Sequence, residues 1–261
     1  LKKSLKGVVV EQGYTGDTGV LQLPPPMLVN SEPVVTMPFH IKIKHPINGA
    51  TIRYTLDGTE PDSVNSPEYK GDVTITKNTQ FKAKAYKKGW TGSALIENHF
   101  FTSTFKPDSI ENLQQPHQHH KGQGAKTLTD QVKGDFDIAG SDRWLAFIDN
   151  KMETVMSFAD SVRVSNITIG TLVNTGGAIM PPAVIEIWGG DDKDHLSRIG
   201  RLVPEQPAKH MPQALTPYEV AFTPVAVKYI KIVAEPVTKL PAWHYAKGKK
   251  GWLYVDEVFV N

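Results

Sequence analysis

The chain has 261 residues, with 29 Lys and Arg against 27 Asp and Glu for a formal net charge of +2, and it contains no Cys. So even a balance leaves no single-sign field to steer nucleic acid or anionic lipid, and without Cys there are no disulfides, Cys-based zinc sites or attached c-type haem. The length, with 21 Gly and 19 Pro punctuating short alternating runs, points to two β-rich domains, and no apolar run reaches the length of a membrane span.

Residues 1–29 open on LKKSLKG, which carries no signal peptide, and continue through Val8–Val10, the turn YTGDTG and Pro24-Pro25-Pro26. They are expected to form a strand remnant and a stiff connector, in a fragment or processed product of a larger protein. Ile52, Tyr54 and Leu56 then alternate with Arg53 and Thr55. That period of two suits a half-buried strand, and Asp57-Gly58 supplies a reversal in which Gly tolerates positive φ. Phe81, Ala83 and Ala85 alternate with Lys82 and Lys84, giving a second strand with one apolar face and one carrying ammonium groups. Asp57, Glu60 and Asp62 invite a cation, but turn chemistry accounts for Asp57 and Pro61 without one.

Residues 30–104 resemble the small Ig/Fn3-like β-sandwich at the C-terminal side of bacterial chitobiases and β-hexosaminidases. The resemblance is carried by Ile52-x-Tyr54-Thr55, the turn Asp57-Gly58-Thr59-Glu60-Pro61, the corner Ser66-Pro67-x-Tyr69 and the strand Lys82-Ala83-x-Ala85. In that family the module is a spacer or support rather than a catalyst.

Residues 105–123, with Pro107, Pro116 and clustered His117, His119 and His120, are polar and aperiodic, and are expected to be an interdomain linker. Imidazoles are good metal ligands, but in a flexible polar segment they stay solvated. The remaining residues, 124–261, give further strands. Val162, Val164, Ile167 and Ile169 lie in one run, Ile185 and Ile187 in the next, Tyr229, Ile230 and Ile232 between lysines, and Leu253, Val255, Val258 and Val260 around Asp256-Glu257. Adjacent carboxylates in a strand are costly unless one faces water and the other meets a cation or donors.

The order of LTDQVKGDFDIAGSDRW, PPAVIEIW, KYIKI and VDEVFV resembles the successive strands of a galactose-binding-like, discoidin or coagulation-factor C-type jelly roll. The chain is therefore expected to be all-β, an Ig/Fn3-like sandwich followed by a galactose-binding-like one. In that second family a structural calcium often ties the first loop to the acidic residue of the last strand. The resemblance implies Asp130, Asp135 and Glu257 as its ligands, in a loop stretched relative to the family and carrying Lys133.

For ligand binding the segment LPAWHYAKGKKG stands out, because Trp243, His244 and Tyr245 in a Pro- and Gly-bounded loop cannot all be buried. Trp243 is expected as a platform for a sugar ring, with His244 and Asn174 contacting hydroxyls; alternatively, Trp243 or Tyr245 plugs the end of the sandwich. Neither a Gly-x-Ser-x-Gly elbow nor a His-Glu-x-x-His pair occurs, and Asp191, Asp192 and Asp194 fall in one turn rather than across a cleft. These readings converge on a non-catalytic accessory region of a secreted, periplasmic or cell-surface bacterial protein. Its expected partners are a glycan and a catalytic domain outside this chain, with a purely structural or protein-interaction module as the alternative.

Overall fold

The computed structural model describes residues 21–138 and 141–261. Val8–Val10 and YTGDTG lie outside the described residues. Two compact units divide at residue 100, Leu1–Phe100 and Phe101–Asn261. Among the described residues the regular elements are β-strands with two short 3-10 turns, Gly124–Leu128 and Thr175–Gly177, so the all-β expectation holds.

The first unit contains β1 (Met27–Leu28), β2 (Phe39–Ile41), β3 (Ile43–Lys44), β4 (Thr51–Thr55), β5 (Val73–Ile75), β6 (Thr79–Tyr86) and β7 (Ile96–Phe100). They form an antiparallel sheet β4-β6-β7 and two pairs, β2-β5 and β1-β3. In β6, Phe81, Ala83 and Ala85 are fully buried while Lys82 and Lys84 lie half-exposed on the other face, as their alternation predicts. Ile41, Ile43, Ile52, Val73, Ile75 and Phe100 close the core around Phe81. Each such side chain contributes about 1.5–3 kcal/mol by leaving water.

Alternation fails at Leu56, which is 39% exposed because β4 has already ended and the chain is entering its turn. That turn is built as the sequence implies. Gly58 sits at φ +79° and donates its N–H to the Gln80 carbonyl at 3.0 Å. The Asp57 carboxylate accepts from the Thr59 N–H at 3.0 Å and its hydroxyl at 2.6 Å, so the turn itself satisfies this acid. Tyr69 anchors the Ser-Pro-x-Tyr corner, its hydroxyl accepting from the Ile43 N–H and donating to the Gly71 carbonyl, both at 3.1 Å.

The second unit contains β8 (Ser109–Asn112), β9 (Leu145–Phe147), β10 (Met152–Val173), β11 (Val184–Gly190), β12 (Ser197–Leu202), β13 (Ala214–Glu235) and β14 (Leu253–Val260). Hydrogen bonding joins them in the order β12-β11-β13-β10-β14-β9, with β8 also on β10. Strands β10 and β13 are each 22 residues long and pair with each other along most of that length. Irregularities between Ser157 and Val162 and between Val164 and Asn166 break the ladder, and such bulges bend strands and increase twist. A single core results, in which Met156, Ile167 and Ile169 of β10 meet Ile187 of β11, Ile230 and Ile232 of β13, and Val255 and Val258 of β14.

The expected linker at 105–123 is a correction. Within it β8 pairs with Thr154–Ser157 of β10, the His117 N–H donates to the Ala146 carbonyl at 2.7 Å, and the Ala146 N–H donates to the His120 carbonyl at 2.9 Å. The segment is an edge of the second unit, held by backbone bonds that need no hydrophobic periodicity.

Candidate functional site

At one end of the second unit, residues 237–251 form a loop closed on itself. Leu240 N–H reaches the Lys249 carbonyl at 2.7 Å, Gly248 N–H the Leu240 carbonyl at 2.9 Å, and Gly251 N–H the Val237 carbonyl at 2.8 Å. Gly248, at φ +77°, makes the return possible. This closure separates the three successive aromatic side chains.

His244 is only 3% exposed. Its Nε2 lies 2.7 Å from the Thr175 carbonyl oxygen and its Nδ1 accepts from the Ala246 N–H at 3.0 Å, so Nε2 carries the proton and both nitrogens are engaged. The expectation that His244 contacts a ligand is therefore corrected: it pins this loop to the 3-10 turn at Thr175. Trp243 is half-buried against Leu240, Met180 and Ala178, and its indole N–H donates to the Pro207 carbonyl at 3.0 Å. Of the two alternatives for Trp243, this geometry matches the packing role, because face and edge both have partners in the protein.

Tyr245 differs, being 79% exposed, with its ring centroid 4.5 Å from that of His244 at an interplanar angle of 31°. A large aromatic surface is thus offered to solvent on a base that cannot rotate away. Sequence reasoning named the loop and expected the exposed ring at Trp243, whereas the exposed ring of the three is Tyr245. Exposure was decided by Thr175 and Pro207, which are remote in sequence.

The same Trp243–Pro207 bond ties the loop to a groove of about 480 Å³. Its walls include Pro207, Met211, Pro212, Thr216 and Tyr218, with Glu205, Gln206 and Lys209 as polar members. Burial alone pushes the Tyr218 phenol up to about 12, so it stays a neutral hydroxyl. The Pro-rich run PEQPAKHMPQ was the available signal for this wall, since a Pro-studded loop keeps a fixed shape without regular structure. Mostly apolar walls with a few polar groups suit binding of a small molecule or one unit of a polymer.

Asn174 precedes the second 3-10 turn, and its side-chain oxygen accepts from the Gly177 N–H at 3.2 Å while its amide reaches Gln213 Oε1 at 3.4 Å. It shares an end of the unit with His244 through Thr175, whose hydroxyl lies 2.9 Å from His210 Nδ1 and accepts from the Met211 N–H at 3.0 Å. The residues expected together are thus brought together. Asn174 acts there as a turn cap, already bonded on both sides.

Elsewhere in the unit the acidic residues arrange differently from the expected calcium set. Asp135 is exposed and paired with Arg143 at 2.9 Å. Asp130 does meet Glu257, which is 1% exposed and accepts from the Val132 N–H at 3.1 Å. Burial first, then the neighbouring Asp130 carboxylate, which accepts a hydrogen bond from the protonated Glu257, pushes Glu257 up to about 9, so it holds a proton. Among the described residues no group of three or more His, Cys, Asp or Glu side chains is arranged to hold a metal ion, and Asp135 stands apart from Asp130 and Glu257 in its pair with Arg143. The carboxylate of Asp256, fully buried, faces Lys133 Nζ at 2.6 Å and accepts from the Gly134 N–H at 2.9 Å. The ammonium also lies over the Phe101 and Phe259 rings, 5.1 and 5.9 Å from their centroids. The buried carboxylate of Asp256 is therefore answered by a lysine.

His117 and His120 rest edge-on against Trp252, at 4.9 and 6.1 Å between centroids, and His120 also meets Tyr254 at 5.1 Å. They are packed and only partly solvated, whereas a linker was expected to leave them in water. Burial, then the neighbouring His117 and His119, lowers His120 from its ordinary value, which keeps it neutral.

Residues 41–100 match the Fn3-associated family. A comparison with curated proteins returns no match. Among solved structures, the family 32 carbohydrate-binding module (CBM32) of AlyQ in complex with 4,5-unsaturated mannuronic acid is similar at 13% identity and a TM-score of 0.37, over 60% of this chain and 96% of that one. A CBM32 of Clostridium perfringens GH89 in complex with GalNAc-β-1,3-galactose is similar at 13% identity and a TM-score of 0.37, over 58% and 93%. The family 32 module of C. perfringens NanJ in complex with galactose gives 14%, 0.38, 58% and 91% respectively. Truncated AlyQ with its alginate lyase domain is matched over only 32% of its length. No helix among the described residues is long and apolar enough to cross a membrane, which says nothing of β-barrels.

Proposed function

We propose that this chain is a non-catalytic accessory region of a larger secreted bacterial protein, and that its second unit binds carbohydrate at the end carrying Tyr245. The observation that carries this reading is the Tyr245 ring, 79% exposed on a loop whose neighbouring His244 is 3% exposed and bonded at both nitrogens. Sugars present flat C–H faces to aromatic planes, and a ring held in place before the ligand arrives loses little freedom on binding. The adjoining groove offers Gln206, Glu205 and Lys209 as hydroxyl partners.

The first unit, in this reading, is the chitobiase/β-hexosaminidase C-terminal type and serves as a support beside a glycoside hydrolase domain elsewhere in the parent protein. Its support is the Fn3-associated match together with the turn at Gly58 and the corner at Tyr69. A glycan array probed with the unmodified chain and with Tyr245→Ala tests the binding reading. Retention on one class of glycan that Tyr245→Ala loses is the expected result. No retention across a broad array leaves the chain as a structural or protein-interaction module.

A further inference from the structure

We propose that the first unit carries a second binding site, for the anionic group of an acidic saccharide. The site is an open groove of about 620 Å³ that nothing in the preceding reading uses. Three cations line it, Arg53, Lys87 and Lys88, with the half-buried Trp90 and the hydroxyls of Thr51 and Ser63, and none of its lining residues is acidic. A concave surface lined by one sign of charge concentrates oppositely charged ligands.

The nearby carboxylates lie outside its lining and are bonded elsewhere. Glu60 is held by Lys84 at 2.8 Å, and Asp62 accepts the N–H groups of Val64 at 2.7 Å and Asn65 at 2.6 Å. Lys87 is fixed in place: Nζ donates to the Asn48 carbonyl at 2.7 Å and stands 5.6 Å from the Trp90 ring centroid, which leaves donor capacity for a ligand oxygen. Arg53 is anchored by Nη1 on the Ser66 carbonyl at 2.8 Å, and its Nε is buried with no hydrogen-bond partner. Buried donors normally have acceptors, and Arg53 lines the groove, so its guanidinium carries bonding capacity that the protein leaves unused. A Cβ added at Gly89 would meet nothing within 4 Å, so the mouth beside Trp90 is open. Charge alone would accept any anion; the indole beside the cations adds a plane for a sugar ring, and the two together specify a saccharide bearing carboxylate or sulfate.

The test titrates the full chain with three oligosaccharides of equal length: galacturonate oligomers, heparin fragments and neutral maltooligosaccharides. Calorimetry gives affinity, and amide and indole NMR shifts locate the site. Either acidic series is expected to bind and move the Trp90 indole and Gly89 signals, and the two together show whether carboxylate or sulfate is preferred. The double variant Lys87→Gln, Lys88→Gln is expected to weaken binding at least tenfold, and Lys88→Gln alone, at an exposed position, to weaken it measurably with folding unchanged. Trp90→Leu should reduce saccharide affinity while leaving inorganic sulfate unaffected. Tyr245→Ala should change nothing here, which separates this site from the one in the second unit. Equal binding of the neutral series, unchanged affinity in the lysine variants, or no shift at Trp90 and Gly89 would each overturn the proposal.

Discussion

Lys133 Nζ stands 2.6 Å from the Asp256 carboxylate with side-chain exposures of 9% and 0%, a pair joining the loop before β9 to the last strand. The attraction between two such charges only offsets what they lose in leaving water, but removing one strands the other in a dry interior. Lys133→Met is therefore expected to destabilise the second unit by about 3–5 kcal/mol in urea unfolding. Adding Asp256→Asn should recover most of that loss. Failure of the second change to help would mean that Lys133 matters for its packing on Phe101 and Phe259.

Glu257 gives a stability that depends on pH. Its folded-state value is raised to about 9, above the ordinary 4.5, so between these values the folded state holds a proton that the unfolded state has released. Its contribution is full below about 4.5 and declines as pH rises toward 9. Glu257→Gln mimics the protonated acid and is expected to remove that decline, leaving the variant more stable than the unmodified chain at pH 8 by about 1–3 kcal/mol. A calcium-induced rise in melting temperature at pH 8 that Glu257→Gln abolishes would falsify the proton assignment and make Asp130 and Glu257 cation ligands.

His120 acts in the opposite direction. With its value lowered by burial and by His117 and His119, the unfolded state takes up a proton before the folded state does. Stability is complete above the ordinary 6.5 and is lost as pH falls below it. His120→Gln is expected to flatten that acid limb, by less than about 1 kcal/mol because the ring is partly solvated. Urea midpoints between pH 5 and 7 measure it.

The aromatic loop separates affinity from stability. Tyr245→Ala should leave the unfolding free energy within about 0.5 kcal/mol, since the side chain is in water. It should cost about 1–3 kcal/mol of glycan affinity. His244→Ala should do the reverse, leaving Thr175 with an unsatisfied carbonyl and lowering stability by about 1–3 kcal/mol. Loss of folding in Tyr245→Ala would show that the ring supports the loop instead of serving a ligand.

Much of the architecture was legible where local chemistry and tertiary structure agree. The period-two run from Phe81 to Ala85 needed only a sheet face, and Gly58 needed only a turn with positive φ, both properties of neighbouring residues. Strand β8 escaped because Ser-Ile-Glu-Asn has one apolar side chain, and its place is set by backbone bonds to β10, more than forty residues on. The site was half legible for the same reason. A Trp-His-Tyr run announces that some aromatic surface must show, but which ring shows was decided by Pro207 and Thr175, and a lysine answered Asp256 from 123 residues away.

Strand order carries a consequence for how the second unit comes into being. β14, the last strand made, lies between β10 and β9 and supplies Val255 and Val258 to the core, so the sheet has no complete interior until residue 260 is available. Pairings such as Thr168 with Phe259 close loops of about ninety residues, and non-local closures of that kind slow folding toward the millisecond-to-second range. During synthesis, β10 and β9 must therefore wait with the edges that β14 will cover still open, and a chain halted before β14 would be a substrate for chaperones and proteases rather than a smaller domain.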